Sequence, residues 1–196
     1  FSHKLQMTFE GYDGNETLKG FPVLTRLTPT ITNFTLRSFQ SSSGNDLRFF
    51  DDKANELAYE IDEWNVGSDE LLAWVRIPEL TNDLNVTAYW GHSDHATQPP
   101  TYAFDGSAWS AGYKGVWHLR GINQAGVLTD STLNRNHAED HDGLNRPTSV
   151  VGTGRTIGDG TDTFLSVPSS PSLESLHGGD YSFSTWLRLE DDVPND

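Results

Sequence analysis

Residues 71–78 read LLAWVRIP, and this stretch decides the fold class. Apolar side chains recur at every second position, at 71, 73, 75 and 77, while Trp74 and Arg76 share the opposite face. A period of two is typical of a β-strand with one buried face, whereas an amphipathic helix repeats every three to four residues. The stretch therefore predicts a strand that turns one face toward a core.

The same alternation recurs at four other places along the chain. The stretches are KLQMTF (4–9), LAYEIDEW (57–64), VTAYW (86–90) and YSFSTWLRL (181–189). Turns rich in Asp, Asn and Gly separate them, and residues 34–42 and 172–176 could each hold a short helical turn. Short strands joined by polar turns predict an all-β chain made of two β-sandwich domains.

The chain divides near a segment that reads as a linker. Residues 92–106, HSDHATQPPTYAFDG, are rich in Pro, His and small polar residues, as connections between domains often are. We therefore predict an N-terminal β-sandwich at 1–97, a linker at 98–112 and a second domain at 113–196. The second domain holds about four or five strand patterns, fewer than the roughly seven of a complete sandwich, so we expect it to be incomplete.

Composition narrows the class of partner. Among 196 residues there are 28 acidic and 13 Lys or Arg side chains, which give a formal charge of −15. Such a surface repels phosphate backbones, so we expect no nucleic-acid partner. There is no cysteine and no apolar run near the roughly 20 residues of a membrane helix, so we expect neither disulfides nor a transmembrane segment.

Several short motifs follow one another over about the first 119 residues. They are GYDG (11–14), LKGFPVL (18–24), SGNDLRF (43–49), YEIDEW (59–64), AWVRIP (73–78), YWG (89–91) and WSAGYKGVWHL (109–119). In this order they resemble an uncharacterised family of secreted prokaryotic β-domains, a domain of unknown function. The resemblance implies an extracellular β-sandwich, and it implies no particular activity.

The second half carries another ordered set of motifs. They are WHL (117–119), DSTLNRN (130–136), GDGTDTFLSV (158–167) and FSTWL (183–187). They resemble the opening half of a laminin-G-like, concanavalin-like jelly roll, with Leu133 and Arg135 in place of the family's glycines. The family's C-terminal strands have no counterpart, so we expect an incomplete jelly roll. This resemblance implies a secreted or surface multidomain protein that binds carbohydrate or protein.

One loop offers oxygen ligands for a metal ion. Asp130, Asn134 and Asn136 supply carboxylate and amide oxygens, the ligand type that calcium prefers. The EF-hand spacing fails, because Arg135 and His141 stand where its Gly and Glu would be. The jelly-roll resemblance implies a structural Ca²⁺ at Asp130 with partners on a late strand. The alternative is an Asx-turn, in which Asp130 bonds its own backbone and needs no metal.

No residue pattern points to catalysis. Glu60 and Asp62 share a strand face, and we interpret them as exposed, solubilising acids rather than a glycosidase pair. His137 and His141 lie amid Asn, Asp and Gly, which argues against the helix that zinc would need at this spacing and indicates a solvated loop. The sequence has no Gly-x-Ser-x-Gly motif and no phosphate-binding loop. We therefore expect no enzymatic activity.

The tryptophans remain as ligand-binding residues. Trp186 and Arg188 lie on the less apolar face of the last predicted strand, where an aromatic plane can stack on a sugar ring. The alternative is packing in a core, and we adopt it for Trp90 and Trp117. We therefore predict that Trp186 and Arg188 contact a ligand.

Together these features favour an extracellular binding or adhesion module of a larger secreted or cell-surface protein, which recognises a glycan or a protein. One alternative is a structural subunit or spacer of a surface filament or coat. A partner strand would complete it, because an unfinished sheet exposes an edge. The other alternative is an accessory domain of a polysaccharide-degrading enzyme.

Overall fold

A computed structural model describes residues 1–9, 12, 16–82, 84–109, 112–122, 127–141, 149–156 and 164–188. Across these ranges the chain is built almost entirely from antiparallel β-strands. The all-β class predicted from the alternation is therefore confirmed. No helix of the described ranges is long and apolar enough to cross a membrane.

The strands are short and follow the predicted stretches closely. In chain order they are β1 (His3–Phe9), β2 (Leu18–Leu27), β3 (Arg48–Asp51), β4 (Glu56–Leu57), β5 (Tyr59–Asn65), β6 (Glu70–Leu80), β7 (Leu84–Trp90), β8 (Trp117–Ile122), β9 (Val127–Asp130), β10 (Ala138–His141) and β11 (Phe164–Ser166). The helical pieces are the 3-10 turns Leu36–Ser38, Ser93–His95 and Thr101–Ala103, and the α-helical turn α1 (Pro171–Glu174). Two of these pieces overlap the helical turns predicted at 34–42 and 172–176, so both predictions are confirmed.

The strands form three sheets. The first has the order β1-β7-β3-β4, the second β2-β6-β5 and the third β11-β10-β9-β8. Every pairing between neighbouring strands is antiparallel. Strands that precede residue 91 build the first two sheets, and strands that follow residue 116 build the third.

The first two sheets enclose one apolar core as a β-sandwich. Its fully buried side chains come from both sheets and include Leu27, Phe49, Tyr59, Val75, Ile77, Val86, Ala88 and Trp90. The predicted apolar face of β6 is at most 1% exposed at Leu71, Ala73, Val75 and Ile77. Each large side chain buried in this way contributes on the order of 1.5–3 kcal/mol. The core is therefore the main source of stability for the first half.

One prediction for the second half is wrong because the residues find strand partners. Residues 137–141 were expected to be a solvated loop, but four of them form β10 and pair with both β9 and β11. The His141 ring stacks on Phe164 with centroids 4.2 Å apart, and its Nε2 lies 2.9 Å from Ser166 Oγ. These cross-strand contacts stabilise a strand despite the polar sequence.

A second prediction is wrong for the opposite reason. Residues 181–189 were expected to be a strand, yet residues 181–188 have no regular structure. Tyr181, Phe183, Trp186 and Leu187 are all at least 70% exposed. Alternation predicts which face a strand would bury, but a strand forms only where another strand accepts its hydrogen bonds. None of the described strands lies alongside this segment.

Candidate functional site

The second sheet turns its outer face toward the third sheet, and polar side chains meet between them. Glu60 lies on β5 opposite Trp74 of β6 in the strand register, and Asp62 lies two positions further along β5. His118 and Arg120 come from β8 at the same spacing. We call Glu60, Asp62, Trp74, Trp109 and His118 the inter-sheet cluster.

His118 bridges the two carboxylates of the cluster. Its Nδ1 lies 3.1 Å from Asp62 Oδ2, and its Nε2 lies 3.5 Å from Glu60 Oε2. The side chains of His118, Glu60 and Asp62 are only 9%, 16% and 4% exposed. The interpretation of Glu60 and Asp62 as exposed acids is therefore wrong. Their own strand does make that face polar, but a second layer of the molecule covers it.

Two indole rings and a hydroxyl complete the hydrogen bonding of the carboxylates. Trp74 Nε1 donates to Asp62 Oδ2 at 3.0 Å, and Trp109 Nε1 donates to Glu60 Oε2 at 2.7 Å. Ser131 Oγ donates to Glu60 Oε1 at 2.7 Å. The two indole centroids are 5.4 Å apart, and the His118 ring lies 5.7 Å from that of Trp109. These contacts satisfy buried charges that would otherwise be costly.

The cluster shifts the pKa of each of its titratable groups. Burial alone lowers the pKa of His118, but hydrogen bonds and charges from Asp62 and Glu60 outweigh burial and raise that pKa to about 9. Burial raises the pKa of Glu60 and Asp62, yet the contacts with His118 and the indole N–H groups leave both pKa values lowered. At neutral pH the cluster is therefore an imidazolium between two carboxylates.

At neutral pH this protonation pattern differs from that of a general base and from that of a glycosidase acid. A general base needs a pKa near the working pH, and an imidazolium with a pKa of about 9 holds its proton. A glycosidase acid needs a raised carboxyl pKa, and both carboxyl pKa values here are lowered. The cluster therefore links the two sheets through an imidazolium that lies between two carboxylates.

An open pocket of about 200 Å³ lies beside the cluster. We call it the inter-sheet pocket; its lining is Tyr59, Glu60, Ile61, Tyr102, Ala103, Phe104, Gly106, Ala108, Arg120, Thr129, Ser131 and Arg135. Phe104 is 59% exposed. Arg120 donates from Nη2 to the Ile61 carbonyl at 3.2 Å, and Arg135 donates from Nη2 to the Phe104 carbonyl at 3.3 Å. The pocket thus combines an aromatic surface with hydrogen-bonding groups from both sheets.

Gly106 lets two loops approach closely at the pocket. Its φ is +100°, and a Cβ built on it would lie 2.7 Å from the Leu133 backbone nitrogen. Only glycine adopts this backbone conformation at such a distance without strain. Ala108 and Trp109, which follow it, are 1% and 5% exposed. The segment predicted as a linker at 98–112 therefore contributes packed residues to the site.

Asp130 is held by hydrogen bonds from its own loop and from the start of β8. Its Oδ1 accepts from the backbone N–H groups of Val116 at 2.8 Å and Thr132 at 2.9 Å. Its Oδ2 accepts from Thr132 Oγ1 and the Asn136 backbone N–H, both at 2.8 Å. The bond from the Thr132 backbone is the Asx-turn that the sequence offered as an alternative to calcium.

The other two predicted calcium ligands point their amides at protein groups. Asn134 Nδ2 donates to the carbonyls of Tyr113 at 3.0 Å and Lys114 at 3.2 Å. Asn136 Nδ2 donates to the Lys114 carbonyl at 2.6 Å, and its Oδ1 accepts from Ser170 Oγ at 2.6 Å. The three residues belong to one hydrogen-bonded unit, in which Thr132 connects Asp130 with Asn134. Calcium binding by Asp130, Asn134 and Asn136 stays a prediction.

The predicted ligand-binding residues lie on the exposed segment that ends the described chain. Trp186 is 74% exposed, and Arg188 is also exposed. Neither lines the inter-sheet pocket. Their role in binding stays a prediction.

Sequence reasoning missed the inter-sheet cluster, although the strands carried a signal for it. Glu60 and Asp62 are two residues apart on one strand, and His118 and Arg120 are two residues apart on another. Opposite charges at matched spacing on two strands favour pairing between them. The pairing needs knowledge of which strands face each other, and that information comes only from the tertiary structure.

Comparison with known protein families gives one match. Residues 43–110, about a third of the chain, match the model of a family described as a domain of unknown function (DUF2341). The match supports the N-terminal part of the resemblance and contains four members of the cluster, but it ends before His118. No curated protein and no solved structure matches the chain. The jelly-roll resemblance of the second half therefore stays a prediction, as does the domain division at 97.

Proposed function

We propose that the protein is a binding module of a larger extracellular or cell-surface protein, and that the inter-sheet pocket holds part of a glycan. The observation that carries this proposal is the lining of the pocket. Tyr102 and Phe104 offer aromatic surface, and Arg120, Ser131 and Thr129 offer polar groups. A sugar ring has apolar C–H faces and polar edges, so it needs both kinds of contact.

The size and rigidity of the pocket support this proposal. A volume of about 200 Å³ lies below the range typical of drug-sized ligands, and it suits a single sugar unit at the end or side of a chain. Glu60 of β5 and Ser131, which follows β9, both line the pocket and are hydrogen-bonded to each other at 2.7 Å. A preformed site loses little conformational freedom on binding, which favours affinity.

A glycan screen of the whole chain followed by calorimetry tests the proposal. We expect at least one glycan to bind saturably and Phe104→Ala to weaken its binding by about tenfold or more, because an exposed aromatic surface is lost. Phe183→Ala is the matched control, since Phe183 is 79% exposed but does not line the pocket. Trp186→Ala tests in the same assay whether the residue predicted from sequence contributes. Failure to bind any glycan, or full affinity in Phe104→Ala, would contradict the proposal.

A structural subunit completed by a partner strand is the second candidate function. The exposed segment 181–188 favours it, because Tyr181, Phe183 and Leu187 are at least 70% exposed and would share one face if the segment formed a strand. Such a segment can add to the edge of another sheet. Phe183→Glu with Leu187→Glu should then abolish self-assembly or complex formation in light scattering. Unchanged assembly in this double variant would exclude the segment as the contact.

A further inference from the structure

Two arginines line the inter-sheet pocket of a strongly acidic chain. Arg120 comes from β8 and Arg135 from the loop after β9, so the two guanidinium groups approach from different elements. The chain as a whole has a formal charge of −15. A pocket whose lining carries two arginines and one glutamate therefore differs in charge from the rest of the molecule.

Counted over the cluster and the charged side chains of the pocket lining, the balance of charge is positive. Glu60 and Asp62 contribute two negative charges, and His118 lies within 3.5 Å of both. Arg120 Nη1 lies 3.7 Å from Asp62 Oδ1, so it balances the remaining charge of the pair. The two carboxylates thus balance the charges of His118 and Arg120. Arg135 adds one further positive charge to the pocket lining. This residual charge corresponds to one negative group on a ligand.

Both arginines are oriented by single backbone contacts. Arg120 is tied to the Ile61 carbonyl and Arg135 to the Phe104 carbonyl. A guanidinium carries five N–H donors, and the contacts with described residues engage a minority of them. The Arg120 side chain is 41% exposed, and Arg135 is exposed as well. An exposed guanidinium that a backbone contact orients is suited to binding a carboxylate through two parallel hydrogen bonds.

We propose that the inter-sheet pocket selects a carboxylated sugar, a uronic acid unit, with Arg135 and Arg120 as the specificity-determining residues. This proposal rests on the glycan-binding function proposed above and names the class of glycan. Arg135 contacts the backbone carbonyl of Phe104, and both residues line the pocket, so the ring and the carboxylate of one sugar unit have neighbouring partners. A dense polyanion is disfavoured, because the rest of the surface repels it.

Calorimetry with a neutral oligosaccharide that ends in a single galacturonic acid unit, and with the methyl ester of that unit, tests the proposal. The two probes have the same sugar ring, and only the first carries a carboxylate. We expect the ester to bind at least tenfold more weakly to the unmodified chain, and added salt to reduce the difference. Arg135→Gln should bind the two probes about equally, and Arg135→Lys should recover only part of the preference, because lysine lacks the planar fork.

Arg37→Gln is the matched control. Arg37 is exposed and lies outside the pocket lining. Its substitution by Gln changes the net charge by the same amount as Arg135→Gln. It should keep the full preference for the acidic probe. An unchanged melting temperature for Arg135→Gln would show that the variant is folded.

The outcomes separate this proposal from the general function. If acidic and neutral glycans bind equally and Phe104→Ala weakens both, glycan binding stands and the acidic specificity is overturned. If a sulfated oligosaccharide binds more tightly than the carboxylated one, the carboxylate assignment is overturned. If neither acidic nor neutral glycans bind, both proposals fail.

Discussion

The two halves of the molecule bury different kinds of side chain. The first half encloses a core that includes Phe49, Tyr59 and Trp90, each at most 2% exposed. After residue 116, the buried apolar side chains among the described residues are Leu128 and Ala138. Among the same described residues, the buried polar residues are Asp130, Ser131, Thr132 and Asn136, and the side chains of Asp140 and Arg155 are only 3% and 1% exposed. The first half therefore depends mainly on apolar burial, and the second depends mainly on satisfied hydrogen bonds.

A buried aspartate in each half makes this difference clear. Asp46 accepts hydrogen bonds from the backbone N–H groups of Gln40, Ser41 and Gly91 at 2.8–3.1 Å. These bonds stabilise a loop that lies beside a large apolar core. Asp130 accepts four hydrogen bonds in a region with little apolar burial around it. A buried carboxylate that accepts several hydrogen bonds therefore adds to an apolar core in the first half. In the second half it is a main source of stability.

Removing a core ring should have the largest effect. Phe49 is 0% exposed and packs against Tyr59 with centroids 5.2 Å apart. We expect Phe49→Ala to lower the free energy of unfolding by about 3–5 kcal/mol, through lost burial and a cavity. Urea denaturation followed by circular dichroism measures this loss. Phe183→Ala is the control and should stay within about 0.5 kcal/mol; comparable losses in both would break the contrast between the halves.

Removing the carboxylate of Asp130 should destabilise the second half of the molecule. Asp130→Ala leaves four buried donors without their acceptor, and we expect a loss of roughly 3–4 kcal/mol. Hydrogen exchange locates the effect, because the amides of Val116, Thr132 and Asn136 should lose protection. The amides of Gln40, Ser41 and Gly91, which Asp46 holds, serve as the internal reference. Retained protection at the Asp130 partners would show that the second half has another source of stability.

The contact between the halves should weaken at alkaline pH. The folded pKa of His118 is about 9, above its ordinary 6.5, so its contribution is complete below pH 6.5 and is lost as the pH rises through about 9. A shift of this size corresponds to at most about 3 kcal/mol. The pKa values of Glu60 and Asp62 are lowered, so these two groups affect stability at acidic pH. Their contribution to stability is lost as the pH falls through their folded pKa values.

Tryptophan fluorescence can follow this change, since Trp74 and Trp109 belong to the cluster. His118→Gln cannot titrate in this range, so its stability should be flat between pH 6.5 and 9. An equally steep decline in His118→Gln would assign the pH dependence to other groups.

Calcium should have the smallest effect. All four hydrogen bonds to the Asp130 oxygens come from protein donors, so a cation would have to displace them. We expect the same melting temperature in millimolar calcium and in chelator. A rise with calcium that Asp130→Asn abolishes would instead support the metal site predicted from sequence.

The alternation of apolar and polar residues predicted the structure correctly where it depends on the residues of the strand itself. The period of two in 71–78 and 86–90 predicted both the strand and its buried face, because side chains alternate strictly along a strand. The short helical turns were also visible, since Thr35 and Ser170 are N-cap residues that accept from the backbone of Arg37 and Leu173. The exposed segment 181–188 shows the limit of such predictions. Its alternation is just as regular, but none of the described strands lies alongside it, so it forms no strand.

The all-β class, the faces of the first-half strands and the acidic surface were determined by the sequence itself. They depend on neighbouring residues and on composition. The burial of Glu60 and Asp62, the protonation of His118 and the arginine-lined pocket were decided only by tertiary structure. Each depends on groups that are far apart in the chain, as with Glu60 and Ser131. Charge, burial and pKa are properties of such assembled surroundings, and no single stretch of sequence contains them.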